Sequence, residues 1–167
     1  ITDITGNSDA SAARTPFILS QANNSKRTNL FRIYTRADGT DTNNYYIVVR
    51  DIVKPKSNNT SPDFAQFSII LYDLKHNPIE SYSSLTLDPD SSDFIGKRIG
   101  DQFQSVNAKG EITVYGNYPN MSQVMRVGDY KESTFSGQSS LVPMGYAKVF
   151  NPIAATAAVP TSSFNRK

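Results

Sequence analysis

Two stretches constrain the fold more than anything else in the chain: YYIVVRDIV at 45–53 and FAQFSIILYDL at 64–74. Both are dense in β-branched and aromatic residues. Such side chains fit a pleated, half-buried surface and lose rotamer freedom in a helix. The ten residues between them, KPKSNNTSPD, are polar or proline and read as an exposed loop. A chain built around these two runs is committed to β-sheet.

The rest is consistent with that commitment. In NLFRIYT, Leu30, Arg32 and Tyr34 alternate with Phe31, Ile33 and Thr35, the period of a strand with one more apolar face. RADGTDTNN follows, where Asp38-Gly39 signals a turn and the polar residues beyond it a long hairpin loop. KHNP turns the chain and IESYSSLTL continues it. GEITVYGNYP supplies a short strand bracketed by Gly110 and Gly116, and SQVMRVGDY adds another. Beyond Lys131 the chain is Gly/Ser-rich until LVPMGYAKVF. Residues 1–28 read as a polar arm or linker, with one extended docking segment at Phe17–Leu19 behind Thr15-Pro16. Residues 29–150 form the β-rich domain and 151–167 a polar tail. The expected class is mainly β or α+β: a sandwich-like antiparallel sheet of roughly five to seven strands, with one or a few short helices packed on it.

The helix is expected within LTLDPDSSDFIGKRIGDQF, 85–103, after its Asp-Pro-Asp-Ser joint. Asp88, Asp90 and Ser92 open like a calcium loop, but the sixth and twelfth positions are Asp93 and Ile99 instead of glycine and an acid, so an EF-hand is excluded. A looser ion site at Asp88 and Asp90 stays open. The better reading is a strand-to-helix joint. Asp90 is the N-cap, Asp93 lies where a capping-box acid belongs, and Pro89 stiffens the approach. Ile95, Ile99 and Phe103 form one apolar stripe on a helix over 90–104, widened by Phe94. Gly96 and Gly100 fit either close approach of another backbone or, for Gly100, a helix end.

Charge and chemistry narrow the function. Seventeen basic and 15 acidic residues leave a net +2 with no basic run, which gives no electrostatic footprint for nucleic acid. No apolar run approaches a membrane span. There is no cysteine, so disulfides, zinc-thiolate sites and thiol catalysis are excluded. His76 is the only histidine and sits in a turn. Asp38, Asp41, Asp88, Asp90, Asp93 and Asp101 all lie near turns or helix ends, where aspartate is ordinary, so a hydrolase is not expected and neither is a cofactor. Tyr45, Tyr46, Tyr115, Tyr118 and Tyr130 could stack on sugars, or serve as core and cross-strand aromatics. The sequons at Asn23, Asn58, Asn59 and Asn120 are what an Asn-rich chain contains by chance.

The order TPFILSQ, LFRIYTRADGTDTN, YYIVVRDI, FSIILYD, LTLDPDSSDFIGKRIGDQ, YGNYPN and VPMGY resembles the sheath proteins of contractile phage tails. The likeness spans roughly residues 14 to 150 and rests on the order of the segments, not on one motif. It implies a middle domain or fragment of a longer protein, without the large α/β domain and terminal arms of the family. It also implies a structural role: rings of sheath subunits stacked around a tail tube, which contract when the baseplate releases them and drive the tube through the host envelope. The implied partners are other copies of the sheath protein and, indirectly, tube and baseplate. The implied location is the virion tail, after synthesis in the host cytoplasm. A carbohydrate- or receptor-binding β module of a virion is the alternative.

Overall fold

The structure, a computed structural model, describes residues 12–38, 45–55 and 64–149. It is a mainly antiparallel β fold with two short helices. In chain order the strands are β1 (Ala12–Arg14), β2 (Ile18–Leu19), β3 (Asn29–Asp38), β4 (Tyr45–Val53), β5 (Gln66–Asp73) and β6 (Pro78–Thr86). Helix α1 (Ile95–Ile99) follows, then β7 (Phe103–Val106), β8 (Ile112–Tyr115) and β9 (Met125–Gly128). Helix α2 (Glu132–Phe135) and β10 (Tyr146–Val149) close the described chain.

The strands form two four-stranded sheets and one separate two-stranded ribbon. In the first sheet β3 is the hub, and β1, β2 and β9 all pair with it antiparallel. The second runs β10-β4-β5-β6. β5 is central and reads as a continuous apolar run because both of its faces are covered: Phe67, Ile69 and Leu71 belong to the core, while Ser68 and Ile70 are buried on the other face. The inward residues of both sheets share one core, in which Phe31 of β3 stacks on Phe67 of β5 at 6.1 Å. Burying each such side chain contributes about 1.5–3 kcal/mol.

Two expectations are corrected by this topology. β3 and β4 do not form a hairpin: they lie in different sheets. The turn itself, 39–44, lies outside the described residues. The alternation of NLFRIYT and the strength of YYIVVRDIV each specify a strand, but neither specifies its partner. Secondly, the segment before residue 29 is woven into the domain. Ala13 and Ile18 are core residues. The Thr15 side chain accepts the Ile33 N–H, and the Thr35 side chain accepts the Ala13 N–H, so hydroxyls fill in where the β1–β3 register shifts. Residues 1–11 and 150–167 are outside the described residues.

Register is adjusted by bulges. The β4–β5 pairing gains a residue between Arg50 and Val53, where Asp51 has φ 55°. The β5–β6 pairing shifts between Phe67 and Ile69, opposite Ser84 at φ 57°. Each bulge bends its strand and keeps the apolar set facing inward.

Candidate interaction site at the exposed hairpin

The acids of the 88–103 segment do not cap its helix. The helix spans Ile95–Ile99, not 90–104. Its N-cap is Phe94, in extended conformation and without a side-chain cap. Asp90 does not cap it. Instead the Asp88 carboxylate accepts the Asp90 N–H at 3.0 Å and the Ser91 hydroxyl accepts the Asp93 N–H at 3.1 Å, so the acids shape successive turns. Lys97 ties those turns down by donating to the Pro89 carbonyl at 2.7 Å and the Ser91 carbonyl at 3.1 Å. Asp93 pairs with Arg98 at 2.8 Å instead of closing a capping box. A parallel bridge from Thr86 to Phe94 ties the end of these turns back to β6 just before the helix begins. Ile95 and Ile99 are fully buried and dock the helix against β6 and β9. Phe103 is not in the stripe: it opens β7 and is 42% exposed.

Both readings of Gly100 hold together. Its φ of +99° ends the helix, and a Cβ there would lie 2.4 Å from the Asn120 Cα. Gly96 faces side chains, not backbone: a Cβ would meet the Tyr130 hydroxyl at 2.5 Å and the rings of Phe94 and Tyr118. Those rings belong to an aromatic cluster of Phe94, Tyr118, Tyr130 and Phe135.

Asp101 is the buried polar hub beneath that cluster. Its carboxylate accepts the Tyr118 N–H at 2.7 Å and the Tyr130 hydroxyl at 2.6 Å. The Tyr118 hydroxyl donates to Glu132 at 2.8 Å. Burial, then the neighbouring carboxylates, push the Tyr130 phenol far above its ordinary value; the same causes push Tyr118 up to about 12. Tyr146 rises to about 12 through burial first and then Tyr46. Tyr45 packs against the core and Tyr46 lies edge-on to His76, so among the sequence-nominated tyrosines Tyr115 is the exposed one, at 49%. His76 sits at φ 65° in a turn closed by the Asp73 carboxylate, which the Asn77 side chain, and then the N–H groups of Asn77 and Lys75, hold below the usual carboxylate range. Among the other sequence candidates, Asn120 donates its side-chain amide to the Gln102 carbonyl, while Asp41, Asn58 and Asn59 are outside the described residues.

The feature that the sequence did not nominate is the β7–β8 hairpin. It pairs Phe103 with Tyr115 and Val106 with Ile112 around a tight turn. In that turn the Asn107 side chain accepts the N–H groups of Lys109 and Glu111, and Gly110 takes φ 81°. Every residue of both strands is exposed. Val106, Ile112 and Val114 are 64%, 65% and 55% exposed, and cross-strand register puts them on one face. Phe103 and Tyr115 stack on the other at 5.3 Å. Neither strand pairs with a third strand among the described residues. The hairpin is anchored at its root by Arg126 of β9, whose guanidinium lies over the Phe103 ring at 4.4 Å and over the Tyr34 ring at 4.2 Å. Phe103 and Arg126 also line two open clefts there, of about 720 and 630 Å³.

An isolated two-stranded hairpin with apolar side chains in water is marginal on its own. Its strands, FQSV and ITVY, carry no charge and no proline, the usual devices that keep an open edge from pairing. The arrangement is suited to contact with another polypeptide. Compared with family models, curated proteins and solved structures, the chain matches none.

Proposed function

We propose that this chain is a structural segment of a contractile phage tail sheath and that the β7–β8 hairpin is a contact it makes with neighbouring subunits. The observation that carries the contact is the hairpin itself, with an uncharged, unpaired ribbon and a solvent-exposed Val106–Ile112–Val114 face. The order of the TPFILSQ-to-VPMGY segments supports the family. Two sheets sharing one core, with a separate exposed ribbon, suit a subunit that moves as a body while its contacts re-form. The glycan-binding alternative has less to stand on, because Tyr118 and Tyr130 spend their rings and hydroxyls on the aromatic cluster and the Asp101 hub.

Antibodies raised against the domain test the reading. Immunogold labelling of contractile-tailed particles from the source of the chain should decorate the sheath along its length. Label on capsid or fibres alone, or none on tails, would overturn it.

A further inference from the structure

A free strand edge is a template for another strand unless something blocks it. β6, at one edge of its sheet, opens on Pro78, carries Glu80 and is bent by the bulge near Ser84. β10, at the other edge, carries Lys148, and β9 carries Arg126. β8 has none of these devices. ITVY is uncharged and free of proline, and it pairs with β7 in unbroken register between Gly110 and Gly116. Its outer edge meets no other strand among the described residues. The hydrogen-bond phase of that edge follows from the turn. The Asn107 N–H donates to the Glu111 carbonyl at 3.0 Å, so 107 and 111 are a hydrogen-bonded pair. Such pairs alternate along an antiparallel ladder. Thr113 and Tyr115 therefore turn their backbone groups toward β7, while Ile112 and Val114 turn theirs outward.

We propose that two copies of the chain pair through β8, antiparallel about a two-fold axis at Thr113. In this register Ile112 of each copy lies opposite Val114 of the other, and every outward N–H and C=O of the strand finds a partner. The two Thr113 residues form the close pair between them. Pairs of β-branched residues and Thr–Thr pairs are favoured across strands. Glu111 falls opposite Tyr115, so no like charges meet. A slip of one residue would turn the side chains to the wrong face. A slip of two would set Gly110 opposite Val114 or Gly116 opposite Ile112 and lose an apolar pair. β7 is the poorer edge, because the same phase there sets Gln104 against Val106. The result is one continuous sheet across both hairpins, with Val106, Ile112 and Val114 of the two copies on a single face; a sheet of this width is far better supported than a lone hairpin. The contact is isologous and stops at two copies. Such an edge buries much less than the roughly 800 Å² per partner of a stable complex, so the pairing is weak and concentration-dependent. It concerns the chain free in solution and does not rest on the sheath reading.

Sedimentation equilibrium of the full chain, from about 10 μM to about 1 mM, tests it. The expected result is a monomer–dimer equilibrium. In NMR spectra over the same range, the Ile112 and Val114 N–H signals should move with concentration while that of Thr113, already bonded within the hairpin, stays in place. Val114→Pro removes an outward N–H without touching a β7–β8 hydrogen bond, so it should weaken dimerisation about tenfold or more and leave the core signals unchanged. Val114→Thr, still β-branched, should keep the dimer. A chain that stays monomeric to about 1 mM, a dimer that Val114→Pro leaves intact, or concentration-dependent shifts confined to residues outside the hairpin would overturn the proposal.

Discussion

Gly100 adopts φ 99° and ψ 154°, a region closed to almost any other residue, with Asn120 backbone where a Cβ would be. Its N–H closes the last turn of α1 onto the Gly96 carbonyl, and its carbonyl accepts the Val127 N–H. One residue therefore ends a helix and joins it to β9. Gly100→Ala should cost about 2 kcal/mol or more, since strain and backbone clash act together; urea unfolding would measure it. The tyrosines make a second prediction at this scale. In the folded chain Tyr118, Tyr130 and Tyr146 hold their protons to higher pH than the ordinary value of 10.0. A raised folded pKa gives stability that is complete below pH 10 and is lost as pH climbs through the folded values, because the unfolded chain releases those protons first. Absorbance at 295 nm should show these phenols titrating late, toward pH 12 and beyond. Stability should fall across that window; a flat profile between pH 10 and 12 would count against the buried hub.

Among the elements, α1 shows how a correct local reading can misplace a boundary. The Ile95–Ile99 spacing reported a buried face correctly, and both residues are fully buried. Adding Phe103 to that stripe extended the helix through Gly100, where the backbone turns away. The acids before it looked like caps because turn chemistry and cap chemistry use the same residues, Asp and Ser, to accept nearby N–H groups. The two accounts differ in energy. Ile99→Ala should cost about 2–5 kcal/mol, whereas Asp90→Ala should stay within about 0.5 kcal/mol, because its carboxylate is exposed and has no partner among the described residues. Thermal unfolding of the pair separates them, and a cost near 1 kcal/mol at Asp90 would restore the cap. The hairpin gives the complementary case. Replacing Val106, Ile112 and Val114 together with serine should change the stability of the free domain by less than about 1 kcal/mol, since little apolar area is buried there. A loss of several kcal/mol in urea would mean that this face packs on the domain after all.

For the whole molecule, what was legible followed from strand composition. The strongest runs became β4 and β5 at the expected places, because β-branched and aromatic residues state a preference that burial reinforces. Sheet membership was not legible: β3 and β4 are neighbours in sequence yet lie in different sheets, and the partners of β3 come from segments as far apart as β1 and β9. β1 was too short to signal a strand and relies on Thr15 and Thr35 hydroxyls that only the fold brings together, whereas the extended segment expected at Phe17–Leu19 contains β2. The hairpin escaped for the opposite reason. ITVY reads like any buried strand, and only the structure leaves it in solvent. The joint residues Asp88, Pro89, Asp90 and Asp93 lie in the turns before α1, while the cleft with Arg36 and Arg126 draws its residues from β3, β9 and the hairpin root, a convergence without a sequence signature. The central claim is that the ribbon at 103–115 is a contact in an assembly. Hydrogen exchange compared between the free chain and intact tail particles that carry it tests this most directly. The account predicts fast exchange in the free ribbon and protection by about tenfold or more in the particle, with the β4–β5 core slow in both. Equal exchange of the ribbon in the two states would contradict it.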